Sequence, residues 1–364
     1  MATRYWVGGS GNWDASTTTN WSTTSGGAAG ASAPTSTDDV VFDTGSGGSA
    51  TNFYFPSVLA GAACQNMSVS RVSSTLGVSF SAPTSGVTSL TISGNLSVLT
   101  ATCFFPATAS GRTLNLKFTS TTSGKTISIF TGTTLCSMEF DGVGGVWSLS
   151  TAATTSTTDS VTLTRGELNL NSQTLLTNVF NSTNTNVRIL TFGTSGRIHL
   201  SGTSKVFNCT TPTNLTVNVG TSSAIQFNTP GSGSFYGGGK TWPALAIAAI
   251  TLSIYGSNSF GSTYSEFNPG STLNFEENKT QTFTTELRMQ GTVGSNIVLQ
   301  SLSSGTQATI SQAAGLTFTG TYLNIKDSNA TGGQSWVATN SIDSGNNTGW
   351  AFPVASRGSM MLFC

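Results

Sequence analysis

Along most of the chain, apolar and polar residues alternate in short runs. Ser89–Leu99 (SLTISGNLSVL), Thr113–Phe118 (TLNLKF), Thr126–Phe130 (TISIF) and Ser160–Leu170 (SVTLTRGELNL) all follow this pattern. It returns in Val187–Phe192 (VRILTF), Arg197–Leu200 (RIHL), Asn214–Val219 (NLTVNV) and Ala224–Phe227 (AIQF). A period of two sends successive side chains to opposite faces of a strand, so each run predicts a strand with one buried face. Gly, Asn and Ser end the runs after a few residues, as turns with left-handed backbone require. Few windows place apolar residues at i, i+3, i+4 and i+7, and the abundant Thr, Ser and Gly are weak helix formers. The pattern predicts an all-β chain.

Many short strands at close spacing suit a sandwich, a barrel or a solenoid. The pattern keeps one character from about residue 56 to 320, with Thr, Ser and Asn outward and Val, Ile, Leu and Phe inward. That favours a parallel β-solenoid, in which stacked coils pair each other's backbones and share one narrow core. No fixed repeat is visible, so coils of unequal length are expected. Three segments follow: a Gly-rich aromatic head at 1–55, the strand array at 56–320, and a closing segment at 321–364. Solenoid ends expose unpaired edges and an open core. Trp6, Trp13 and Trp21 lie in the head among Gly, Ser, Thr and Asn, with no local core to join. Trp336 and Trp350 lie in the closing segment. These five are expected to cap the solenoid or to lie in a subunit interface.

Composition narrows the function classes. Charged residues make up 8% of the 364, against a usual ~25%. Disorder pairs low hydrophobicity with high net charge. Here net charge is zero and 21 Phe are available for a core, so a folded chain is expected. The 14 Lys and Arg are scattered, unlike the clustered cations of a nucleic-acid binder. The most apolar stretch, Trp242–Tyr255, is too short for a membrane span. No basic segment precedes an apolar one at the N-terminus, so no secretory signal is expected. Cys64, Cys103, Cys136, Cys209 and Cys364 are far apart and odd in number. Neither a disulfide framework nor a zinc site is expected. Four buried thiols and one terminal thiol, made in a reducing cytosol, are.

Few residues could carry chemistry. Glu139 and Asp141 (SMEFDG) stand two apart on an expected strand and so share a face. They are the best local pair for glycoside hydrolysis, which needs two carboxyl groups ~5–9.5 Å apart; the plainer reading is two solvated residues at a strand end. Glu276 and Glu277 are adjacent and on a strand would diverge. Asp38, Asp39 and Asp43 lack the spacing of a calcium loop. His199 is expected outward by alternation with Ile198 and Leu200, and no G-x-S-x-G elbow accompanies it. Gly237–Gly239 (FYGGGKTW) lacks the phosphate-loop spacing and reads as a turn. No catalytic residue, metal site or cofactor is therefore expected. Exposed Tyr and Trp could stack on sugar rings, which leaves glycan binding open.

The two ends carry a resemblance. RYWVGGSGNWDASTTTNWSTTSGG, continuing to APTSTDDVVFD (Ala33–Asp43), resembles a head found on β-helical proteins of tailed bacteriophages and on some bacterial surface proteins. Phe275–Ile310 resembles the last coils of the same group, and SNATGGQSW (Ser328–Trp336) with NSIDSGNNTGW (Asn340–Trp350) resembles its closing motif. The match covers about the first 45 and last 75 residues. The resemblance implies a right-handed parallel β-helix, usually in a virion or surface assembly; virion β-helices are commonly trimeric, and a virion protein would be made in the host cytoplasm. The first functional expectation is a non-catalytic capsid decoration (cement) protein, a homotrimer in contact with the major capsid protein or other virion proteins. The second is a tailspike or tail fibre that reads host surface glycan. The third is a glycan-degrading enzyme acting through Glu139 and Asp141. Partnership with nucleic acid or membrane is not expected.

Overall fold

The computed structural model describes residues 1–46, 53–54, 56–70, 77–82, 86–101, 103–105, 112–202, 205–227, 229–248 and 250–353. These residues form strands and turns, with no helix among them. The chain divides into two compact units, Met1–Ser223 and Ala224–Cys364.

The first unit is a stack of parallel ladders. In one, Asp39–Phe42, Met67–Val69, Leu96–Val98 and Lys125–Ile129 pair in turn. A second runs through Gly86–Ile92, Arg112–Phe118, Ser137–Leu149, Ser160–Asn169, Val179–Asn181 and Lys205–Asn208. A third links Thr134–Leu135, Ala153–Thr155, Thr174–Thr177 and Arg197–Leu200. In the second unit, Gly231–Tyr236, Ile250–Tyr255, Thr272–Phe275, Ile297–Ser301, Leu323–Lys326 and Ile342–Asp343 pair in parallel order. Each unit is thus a parallel β-solenoid.

Period-two alternation builds the core one rung at a time. Leu90, Leu116, Met138, Val161, Phe180 and Phe207 are consecutive partners across six strands, and all are buried. Each such side chain contributes roughly 1.5–3 kcal/mol by leaving water. Phe118 stacks on Phe140 at 5.0 Å and Phe180 on Phe207 at 5.2 Å. In the second unit Leu252, Leu273, Leu299 and Ile325 form the equivalent rung.

Coil lengths differ, as the missing repeat predicts. The Thr126 amide donates to Asn95 Oδ1 across 31 residues, whereas the Leu323 amide reaches Ser341 Oγ across only 18. The variation is absorbed at the turns, where Asn171, Asn214, Asn278, Asn340 and Asn346 adopt positive φ. Several outward rungs carry short uncharged side chains. Asn169, Thr191 and Asn218 are consecutive partners, and Asn218 Nδ2 donates to Thr191 Oγ1 at 2.9 Å. Gln300 Nε2 donates to Asn274 Oδ1 at 2.8 Å in the second unit.

Cys64, Cys103, Cys136 and Cys209 are buried and unbonded. Burial pushes all four thiols well above the ordinary thiol range. Cys364 lies outside the described residues.

Candidate functional site

The head does form a core, with the chain's own first coil. Thr3–Trp6 runs parallel to Asp39–Phe42 and antiparallel to Trp21–Ser22, which sets Trp6 opposite Trp21. Trp6, Trp13 and Trp21 are fully buried. Trp6 meets Trp21 edge-on at 5.0 Å and stacks on Phe42 at 5.7 Å, while Trp13 lies 5.3 Å from Trp21 and 5.9 Å from Phe42. Phe42 in turn meets Phe80, the next ring inward, at 5.0 Å. The Trp6 indole N–H donates to the Gly9 carbonyl at 2.8 Å. Asn20 lies against Gly8, where a Cβ would collide with it; this lets the Gly-rich segment close tightly over the indoles.

Asp38 ties the start of the chain to this head. Its Oδ1 accepts from the Ala2 amide at 2.9 Å, and its Oδ2 accepts from the Thr35 amide and hydroxyl at 3.1 and 2.8 Å. Burial raises its pKa, but these hydrogen bonds and the charge of Arg4 outweigh that and hold it below the ordinary value. A depressed folded-state pKa contributes stability that is present above the unfolded value and lost as pH falls through the folded one. Asp38→Asn should therefore melt at a lower temperature than the parent at neutral pH. The gap should close as pH drops below the ordinary carboxylate range; a gap independent of pH would contradict the assignment. Asp39 and Asp43 bond elsewhere, to Asn66 Nδ2 and to the Gly45 amide. Among the described residues no three His, Cys, Asp or Glu side chains converge as metal ligands would.

At the other end of the sequence, Trp336 is buried and Trp350 is half-buried. Their rings lie 5.1 Å apart, and Phe318 meets them at 4.7 and 5.9 Å. The Trp336 indole donates to the Thr331 carbonyl, and that of Trp350 to Ser328 Oγ. Trp147 and Trp242 are core residues that composition did not single out. Trp147 packs on Phe118 and Phe140, and Trp242 on Phe235.

The acidic pair stands on the outer face, as alternation predicts, because Met138 and Phe140 point inward. It is not a free pair. Lys117 Nζ lies 3.3 Å from Glu139 Oε1 and 2.7 Å from Asp141 Oδ2, and Arg165 Nε lies 2.6 Å from Asp141 Oδ1. Asn115 Nδ2 and Thr164 Oγ1 also donate to Glu139. Partial burial lowers the Lys117 pKa, but Asp141 and Glu139 outweigh it and raise the value overall. The cations come from the strands on either side, so no local sequence motif announces them.

The remaining candidates scatter. His199 faces outward between buried Ile198 and Leu200. Glu276 and Glu277 lie just past the strand Thr272–Phe275, and Glu276 Oε2 accepts from the Gly256 amide. Gly238 and Gly239 adopt positive φ in a turn. Two outward tyrosines, Tyr236 and Tyr255, register partners on adjacent strands, stack at 4.4 Å and 8°.

An all-β parallel solenoid, with an internally paired charge cluster in its first unit, is the class that the fold and these sites define. Compared with protein-family models, curated proteins and solved structures, the chain matches none.

Proposed function

We propose that this protein is a non-catalytic structural component of a tailed-bacteriophage virion. In this reading it is a right-handed solenoid that decorates the capsid surface as a homotrimer, in contact with the major capsid protein. The observation that carries it is the outer surface. Several of its rungs place Ser, Thr, Asn or Gln in register, and its densest charges, Lys117, Glu139, Asp141 and Arg165, already neutralise one another. Interface cores are depleted in charge because an ion must be desolvated before it is buried. Exposed Leu99, Phe130, Val143 and Val187 add apolar surface that suits lateral protein contact. The same ion pairs argue against Glu139 and Asp141 as hydrolytic carboxylates, since Lys117 already bonds both.

The test is the protein's place on the particle. An image of the virion should show many copies at local threefold positions of the capsid. A few copies confined to the tail would overturn the decoration reading. That outcome would favour a tailspike or fibre that binds host glycan, which the stacked Tyr236–Tyr255 pair supports.

A further inference from the structure

We propose that a pocket on the outer face of the first unit receives the side chain of a lysine from a neighbouring protein. The inference rests on the pocket's chemistry and not on the virion reading. The strand Ser137–Leu149 shifts register against Ser160–Asn169 between Asp141 and Val146. The kink leaves a depression of about 80 Å³. Gly144, Gly145 and Gly166 border it, Val146, Val187 and Ile189 wall it, and one charged residue, Glu167, lines it. Val146, Glu167 and Ile189 are outward partners on three successive strands, so the carboxylate sits between two aliphatic side chains.

Size sets the class of ligand. Pockets for small organic ligands run ~300–1,000 Å³. This depression suits the end of a side chain rather than a whole small ligand. Charge sets its sign. Among the described residues Glu167 forms none of the ion pairs. The cations near it in sequence are committed elsewhere. Arg165 pairs with Asp141. Arg188 is fully buried and donates to Asn184 Oδ1 and to the Thr211 and Thr213 carbonyls. Apolar walls beside an uncompensated carboxylate fit an alkyl stem that ends in a cation.

The small depression favours the compact ammonium of lysine over the broader guanidinium of arginine. Glu167 Oε1 already accepts from the Thr191 hydroxyl at 2.7 Å. A guanidinium fork gains most when both carboxylate oxygens are open to it, whereas an ammonium acts as a compact point charge and needs only one. Val187 in the wall and Val143, next to the bordering Gly144, are 69% and 65% exposed and leave apolar surface for the rest of the partner to cover.

The probe is Nα-acetyl-lysine methylamide, titrated into the ¹⁵N-labelled full chain, with the norleucine and arginine analogues as comparators. Saturable shifts are expected on the amides of Gly144, Gly145, Gly166 and Glu167. Binding should weaken about fivefold for norleucine and for Glu167→Gln, the ratio of a half-exposed ion pair. The glutamine keeps an oxygen for Thr191, so its spectrum away from the pocket should match the parent. Val187→Ser, at an exposed wall, should weaken the lysine probe about twofold through lost stem burial. Equal binding of norleucine, an unchanged affinity in Glu167→Gln, or shifts that do not saturate would each overturn the proposal. Tighter binding of the arginine analogue would overturn the choice of lysine.

Discussion

Replacing Trp13 with Ala should unfold the N-terminal end of the first unit, at a cost of about 3–5 kcal/mol. The indole is fully buried against Trp21 and Phe42, so truncation removes its transfer free energy and leaves a cavity under the head. Since ~1.4 kcal/mol is a factor of ten, the closed head becomes at least a hundredfold less favoured over its open form. Solenoid stability is roughly a sum of coil and neighbour terms. The damage should therefore stay near the end before it spreads along the stack. Limited proteolysis should cut the variant within the first forty residues under conditions that leave the parent whole, and thermal unfolding should begin earlier. Intact stability with failure to assemble would instead place this side chain's role between subunits. The half-buried Trp350 makes a useful contrast, because its truncation removes less buried surface and should cost less.

The second large effect belongs to Gly166. Its φ is +81°, and a Cβ there would collide with the Gly142 carbonyl and come within 2.7 Å of that of Gly145. Both are backbone atoms of the kinked neighbouring strand, so no side chain can swing aside. A non-glycine residue in left-handed backbone costs roughly 1–3 kcal/mol on its own. Gly166→Ala should exceed that, because the kink must also move. Gly124 provides the control, with φ +78° and open space for 4 Å around the point a Cβ would occupy. Urea unfolding of Gly166→Ala and Gly124→Ala separates the two contributions: the alanine at 124 should lose only the conformational part. Equal losses would show that the kink yields freely.

Strands and their buried faces were legible in the sequence, because a period of two follows directly from backbone geometry and one face of each strand is wet. Coil stacking was legible only as a class. The partner of Ser97 is Ser128, yet that of Thr126 is Ser148, and steps this uneven leave no period to detect. The charge cluster was half legible. Glu139 and Asp141 announce themselves on one strand, while Lys117 and Arg165 reach them from strands whose register depends on those uneven steps. Glu167 gave no signal, since its setting is created by a strand kink and by Val187 and Ile189 from the next coil. Tryptophans in Gly- and Ser-rich ends looked like lids for want of local apolar neighbours. Trp147 escaped notice because one ring partner, Phe118, lies on the neighbouring strand, and the other, Phe140, lies beyond the register shift in its own strand.

The four buried thiols make the first unit a ready-made reporter of its own opening. Cys64, Cys103, Cys136 and Cys209 are spread along that unit and fully or almost fully covered. Only the thiolate reacts with alkylating reagents, and burial suppresses the thiolate as well as access to it. Labelling of each cysteine therefore waits for its own coil to part from its neighbours, a local event with its own free energy. In a chain with Cys364 replaced by Ser, the order in which the four acquire label is a map of where the stack comes undone first.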